Sequence, residues 1–122
     1  MKSTRKASAQ NIMNSSKKNV AQIQQDYFSE FSSEIFNRPG LGKRTRILLN
    51  LAMLTMAGER EVLRKFIHDA LDLGCSRTAI RETLLQTICF AGHNKVSLAT
   101  NIAQEVFTEI DKLRLNSRQK AR

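Results

Sequence analysis

Proline occurs once in this 122-residue chain and glycine five times, which leaves little material for the many reversals of a sandwich or barrel. Cysteine is as scarce. Cys75 and Cys89 are too few for a disulfide framework and lack the Cys-x-x-Cys spacing of a zinc or redox motif, so both read as reduced thiols. Long apolar runs are missing as well. The longest apolar-rich stretch, Ile47 to Ala57, falls well short of the roughly 18 to 20 residues that span a bilayer, and no apolar stretch follows Lys2 as a secretory signal would require. A membrane partner is therefore not expected, and the expected location is cytoplasmic. What is present, 41% hydrophobic and 25% charged residues, excludes wholesale disorder and a fibrous repeat, and the length suits one domain.

The charge is unevenly placed. Twenty Lys and Arg against eleven Asp and Glu give a net charge of +9. Five of the bases lie in residues 1–25 and five in residues 112–122, with no acid in either stretch. That leaves ten bases and all eleven acids in residues 26–111, a net charge of −1. A body that is neutral lacks the basic face of a specific nucleic-acid reader, so nucleic acid is expected at most as a weak, salt-sensitive partner of the basic tails. The chain accordingly divides into a basic N-terminal segment (1–18), a helical domain (19–111) and a basic C-terminal tail (112–122).

Hydrophobic spacing reads as helix throughout, and no segment alternates with period two. From Asn19, Val20, Ile23, Tyr27, Phe28, Phe31, Ile35 and Phe36 form an amphipathic stripe that ends before Pro39 and Gly40. After Gly42 comes a helix apolar on nearly every side, with nine apolar residues between Ile47 and Ala57, closed by Gly58. The third helix places Val62, Leu63, Phe66, Ile67, Ala70 and Leu71 on one face, with Gly74 as a left-handed cap. Ser76 is a natural N-cap for the fourth, which carries Ile80, Leu84, Leu85, Ile88 and Cys89 inward and stops at Gly92. Asn94 is the expected cap of the fifth, whose inward set is Val96, Ala99, Ile102, Ala103, Val106, Phe107 and Ile110. This is an all-α domain of five to six helices. A body of about 85 residues is marginal for burying an all-round apolar helix alone, so a homo-oligomer is expected.

Taken in one register, Arg38-Pro39-Gly40-Leu41, Arg44-Thr45-Arg46, Leu51-Ala52-Met53-Leu54, Gly58, Leu63-Arg64, Ala70, Gly74, Glu82, Leu85 and Ala91-Gly92 resemble the carboxymuconolactone decarboxylase family, within the wider alkylhydroperoxidase D-like group. The resemblance runs from about residue 36 to 107. It implies an alkylhydroperoxidase D-like helical repeat fold assembled into trimers or hexamers. It also implies a carboxy-lyase of protocatechuate breakdown in the β-ketoadipate pathway, acting on a small anionic lactone without metal or organic cofactor. Such chemistry needs cations to hold carboxylates and a relay that protonates the carbon losing carbon dioxide.

Four residues carry that expectation. Arg46 matches the family's basic residue at the start of its buried helix and suits a bidentate contact to a substrate carboxylate. Phe66 occupies the place of the family's third-helix histidine and is expected to line the substrate pocket. His68 is no substitute, because two residues along a helix turn a side chain by about 200°. Phe90 and Asn94 stand where the family commonly has Tyr and Pro. Glu82 matches a family acid able to orient a base or accept a proton, and His93, in the turn after Gly92 near where the family's pocket closes, is a residue type able to carry protons. Thiol peroxidase chemistry of the alkylhydroperoxidase D type is not expected, since Glu61 and Arg64 stand nearest to where its thiol pair would lie. The rival expectation is a non-catalytic oligomeric scaffold that has lost its histidine.

Overall fold

The computed structural model describes residues 19–121, so the basic segment 1–18 lies outside the described residues. These residues fall into two units that meet at Pro39 and Gly40. The first holds α1 (Val20–Phe36), which starts where Asn19 Oδ1 accepts the amide of Gln22 at 2.8 Å and ends at Asn37, ahead of Pro39. None of its residues is buried. Tyr27 and Phe31, one turn apart, stack with ring centroids 6.1 Å from each other, and of the apolar stripe of α1 all but the half-buried Phe36 are exposed.

The second unit contains α2 (Lys43–Ala57), α3 (Arg60–Asp72), α4 (Arg77–Gln86), the four-residue α5 (Ile88–Ala91) and the long α6 (His93–Lys120). No strand occurs among the described residues, as the absence of period-two segments requires. Helix α2 is central, touching α3, α4 and α6. Its buried positions, Ile47, Leu51 and Thr55, repeat every four residues, and they meet Leu63, Ile67 and Ala70 of α3, Ile80 and Leu84 of α4, and Ala99 to Phe107 of α6 in one core. Thr55 is tolerated there because its hydroxyl donates to the Leu51 carbonyl at 2.7 Å. The largest core side chain, Phe107, is fully buried, and Arg77 and Arg81, one turn apart on α4, hold their guanidinium carbons 5.1 and 4.9 Å from its ring centroid. Their charge sits over the negative face of the ring while the rest of each head stays wet.

The helix ends follow local chemistry. Gly58 closes α2 at φ 75°, a left-handed conformation that side chains disfavour. After α3, the amides of Gly74 and Cys75 return to the carbonyls of Leu71 and Ala70 at 3.0 and 2.9 Å. Ser76 caps α4 by accepting the Ala79 amide at 3.0 Å. Two expectations are corrected here. The fourth helix is not continuous to Gly92: it breaks at Thr87, whose buried hydroxyl donates back to the Leu84 carbonyl at 2.7 Å. Thr87 is buried at the break, whereas Leu85, still within α4, and Ile88 and Cys89 beyond it are exposed. The last helix starts at His93 with Gly92 at its cap position, so Asn94 lies within the helix rather than capping it. It also runs through the basic tail as far as Lys120, with residues 111–121 exposed.

Candidate functional site

The start of α2 is unusually cationic. Lys43, Arg44 and Arg46 occupy its first turn with no acid there and no side-chain cap on Gly42, although the positive end of a helix dipole disfavours cations. Tertiary contacts account for two of them. Arg44 Nε donates to the Leu73 carbonyl at 2.9 Å, tying the start of α2 to the end of α3. Its guanidinium lies so close to Gly74 that a Cβ built there would come within 2.7 Å of Arg44 Nη2. Arg46 is half-buried, with Nη2 3.9 Å from where a Cβ on Gly40 would sit, so the side chain folds back over the turn that precedes α2.

Beside that end, α2 and α4 diverge enough to leave an open groove of about 390 Å³. Thr45, Leu48, Leu49 and Ala52 line it from α2, and Glu82, Thr83 and Gln86 from α4. The α2 positions are spaced three, one and three apart, so they form one face of that helix. Gln86 lies one turn beyond Glu82, with Thr83 next to it. The size suits a small metabolite, with an apolar wall and a few convergent polar groups. Thr83 donates its hydroxyl proton to the Ala79 carbonyl at 2.7 Å. Its oxygen lone pairs are left for a donor in the groove. Glu82 is exposed and brings the only ionisable group of the lining.

Of the four residues singled out from the sequence, the groove takes only Glu82. Arg46 stands in the same first turn of α2 as Thr45 but does not line the groove. Phe66, on α3, is half-buried and packs against the core. His68, two positions on, is half-buried too. His93 is exposed as the first residue of α6. Thr45, Thr83 and Gln86 were missed by sequence reasoning. Their signal is there, since Glu82, Thr83 and Gln86 form a polar set one helical turn long, but nothing in the chain says which face of α2 it meets.

The strongest ion pairs lie elsewhere. Arg64 of α3 pairs with Glu105 and, at 3.4 Å, with Glu109 of α6, and Arg77 grips both oxygens of Asp111 at 2.6 and 3.1 Å. The Arg77 hydrogen bond holds the Asp111 carboxyl below the usual range, and Arg114 adds to that shift. These pairs clamp α3 and α4 to α6. At the C-terminal end of α2, Lys95 Nζ donates to the Met56 carbonyl at 2.8 Å. Cys75 is buried and Cys89 exposed, both as free thiols. Among the described residues no three His, Cys, Asp or Glu side chains converge as a metal site, and no helix is long and apolar enough to cross a membrane.

Comparison with known proteins places this arrangement. Residues 25–105 match the Carboxymuconolactone decarboxylase family. The chain is 34% identical over 101 residues to an uncharacterized 15.0 kDa protein from the nqo9–nqo10 intergenic region of Paracoccus denitrificans, a match covering 81% of this chain and 75% of that protein. It is 30% identical over 87 residues to 4-carboxymuconolactone decarboxylase of Acinetobacter baylyi, covering 70% of this chain and 65% of the relative, just under two thirds of its length.

Proposed function

The chain belongs to the carboxymuconolactone decarboxylase family, and from that membership we propose that it is a cofactor-independent carboxy-lyase acting on 4-carboxymuconolactone or a related small anionic lactone or keto acid of aromatic-compound catabolism. The observation that carries the reading is Glu82. It matches the family's acid in sequence and faces a groove of metabolite size between α2 and α4. Loss of carbon dioxide leaves an electron pair on the substrate carbon, and a proton must arrive there as the carboxylate departs. In this proposal Glu82 orients or supplies that proton, His93 serves as the alternative donor, and Arg46 holds a substrate carboxylate at the α2 end. Phe66 packs on the core and does not line this groove. Decarboxylation followed spectrophotometrically tests it: turnover above background that falls sharply in Glu82→Gln supports the proposal, and no turnover at high protein concentration removes it.

The working form in this reading is a homo-oligomer, a trimer or hexamer, located in the cytoplasm. Leu49, Met53, Met56, Leu85 and Phe90 supply the uncovered apolar surface that motivates it. Light scattering that returns a 13.8 kDa species at micromolar concentration would remove that part.

A second reading rests on a separate observation. Phe66 packs on the core where the family has a histidine, and the groove is lined by a carboxylate without any cation, a poor match to a substrate bearing two carboxylates. Those facts support a non-catalytic oligomeric scaffold. Phe66→His discriminates the two: activity found only in that variant identifies the natural chain as the scaffold, and an active natural chain excludes it.

A further inference from the structure

The last turns of α6 form an exposed, acid-free cationic stretch longer than the one at the start of α2. From Lys112 to Lys120 the helix carries Lys112, Arg114, Arg118 and Lys120 without one acid, and every residue in that stretch is exposed. The residues before it are balanced, because Arg64 and Arg77 are matched by Glu105, Glu109 and Asp111. Lys112, Arg118 and Lys120 form no ion pair among the described residues. A solvated helix end carrying only cations repels itself, and an anionic partner relieves that repulsion.

The angular layout narrows the partner. At about 100° per residue, Arg114 and Arg118 lie on one side of Ile110, Lys120 on the other, and Lys112 nearly behind. The exposed Leu113 and Leu115 fall about 160° apart by the same rule. No apolar stripe exists, so this stretch has neither the face that lies in a lipid headgroup layer nor the one that fills an apolar groove. Its attraction is electrostatic and reaches several sides. Arg114 and Arg118, flanking a shallow depression with Ile110, Leu113 and Ser117, are one turn or about 6 Å apart along the axis. That is close to two nucleotide steps, at about 3.4 Å each along one strand.

We propose that residues 112–120 of α6 dock the phosphate backbone of nucleic acid without reading its sequence. The contact is independent of the groove between α2 and α4 and of whether the protein is a decarboxylase. If all four cations take a phosphate, raising salt from about 50 to about 150 mM weakens binding about 50-fold, and two cations give about 7-fold.

The test is fluorescence anisotropy of the full chain with a labelled mixed-sequence DNA duplex of about 20 base pairs, as a function of salt. Arg114→Gln with Arg118→Gln keeps helix propensity and touches no buried residue, so folding is preserved; its circular dichroism confirms that. The proposal expects this pair to lower affinity and flatten the salt dependence toward the two-cation value. Arg60→Gln with Lys65→Gln on α3 removes the same charge and should change neither. The proposal is overturned by no binding at the lower salt, by equal losses in the α3 variant, or by binding abolished in Arg5→Gln with Lys6→Gln while the α6 variant binds normally. Binding to phosphatidylserine vesicles with none to the duplex would also overturn it and assign the helix to a lipid surface.

Discussion

Replacing Gly74 by Ala tests how the start of α2 is held. Gly74 sits at φ 91°, where an L side chain costs about 1–2 kcal/mol. A new Cβ would also stand 2.7 Å from Arg44 Nη2 and 3.3 Å from Cζ. Those atoms end a flexible side chain, so Arg44 swings away instead of the backbone yielding. Swinging away breaks its 2.9 Å hydrogen bond to the Leu73 carbonyl, worth about 0.5–1.5 kcal/mol and toward the low end at an exposed site. Together the losses come to about 1.5–3 kcal/mol. For a domain this size each kcal/mol lowers Tm by about 4–8 °C, so a fall of about 6–24 °C is expected. A double-mutant cycle isolates the contact. In an Arg44→Ala background the hydrogen bond is already gone, and Gly74→Ala should cost only the backbone share, about 1–2 kcal/mol. Urea denaturation of the four proteins measures the difference. Equal costs in both backgrounds would refute the reasoning and reduce Gly74 to a helix-capping residue.

Leu51→Ala, at the centre of the core, should lower stability by about 2–5 kcal/mol, while Leu51→Asp should yield no folded protein by circular dichroism, because its charge would be buried without a partner. Asp111→Asn should flatten the acid limb of the stability curve. The folded Asp111 carboxyl titrates below its unfolded value because Arg77 favours the charged form, so its contribution is present above the unfolded pKa of about 4 and is lost as pH falls through the folded one. Denaturant midpoints between neutral pH and about pH 2 would show the wild type losing more than the variant over that window. If His93 carries the proton, His93→Asn should remove most of a measured decarboxylase rate and His68→Asn little. Equal losses in both would place the relay on α3 instead.

The helices were legible because their signals are local. Ser76 caps α4 and Gly58 closes α2 where the residue types demand it, and the stripe of α3 buries Leu63, Ile67 and Ala70 as its spacing requires. The misreadings share a different origin. Leu85, Ile88 and Cys89 continue an apolar pattern that reads as inward, yet Leu85 lies on an uncovered side of α4, Ile88 and Cys89 follow the break at Thr87, and all three are exposed. A side chain's choice between solvent and its own backbone depends on what surrounds it, and apolar spacing does not encode that. The basic tail, set apart from the helical domain on charge, continues α6 as far as Lys120, because good helix formers need only an existing helix to extend.

By itself, the order of residues determined the all-α class, the positions of most caps, the neutral body with basic ends, and the family likeness that led to Glu82. Each depends on residues within a turn or two of one another, or on counting. Only the tertiary structure decided that Thr45, Thr83 and Gln86 join Glu82 in one groove, that Arg44 rather than Arg46 ties α2 to α3, and that Phe107 lies beneath two guanidiniums. Those contacts bring together residues far apart in the chain, and their geometry follows from how α2 packs against α3, α4 and α6, which no local pattern specifies.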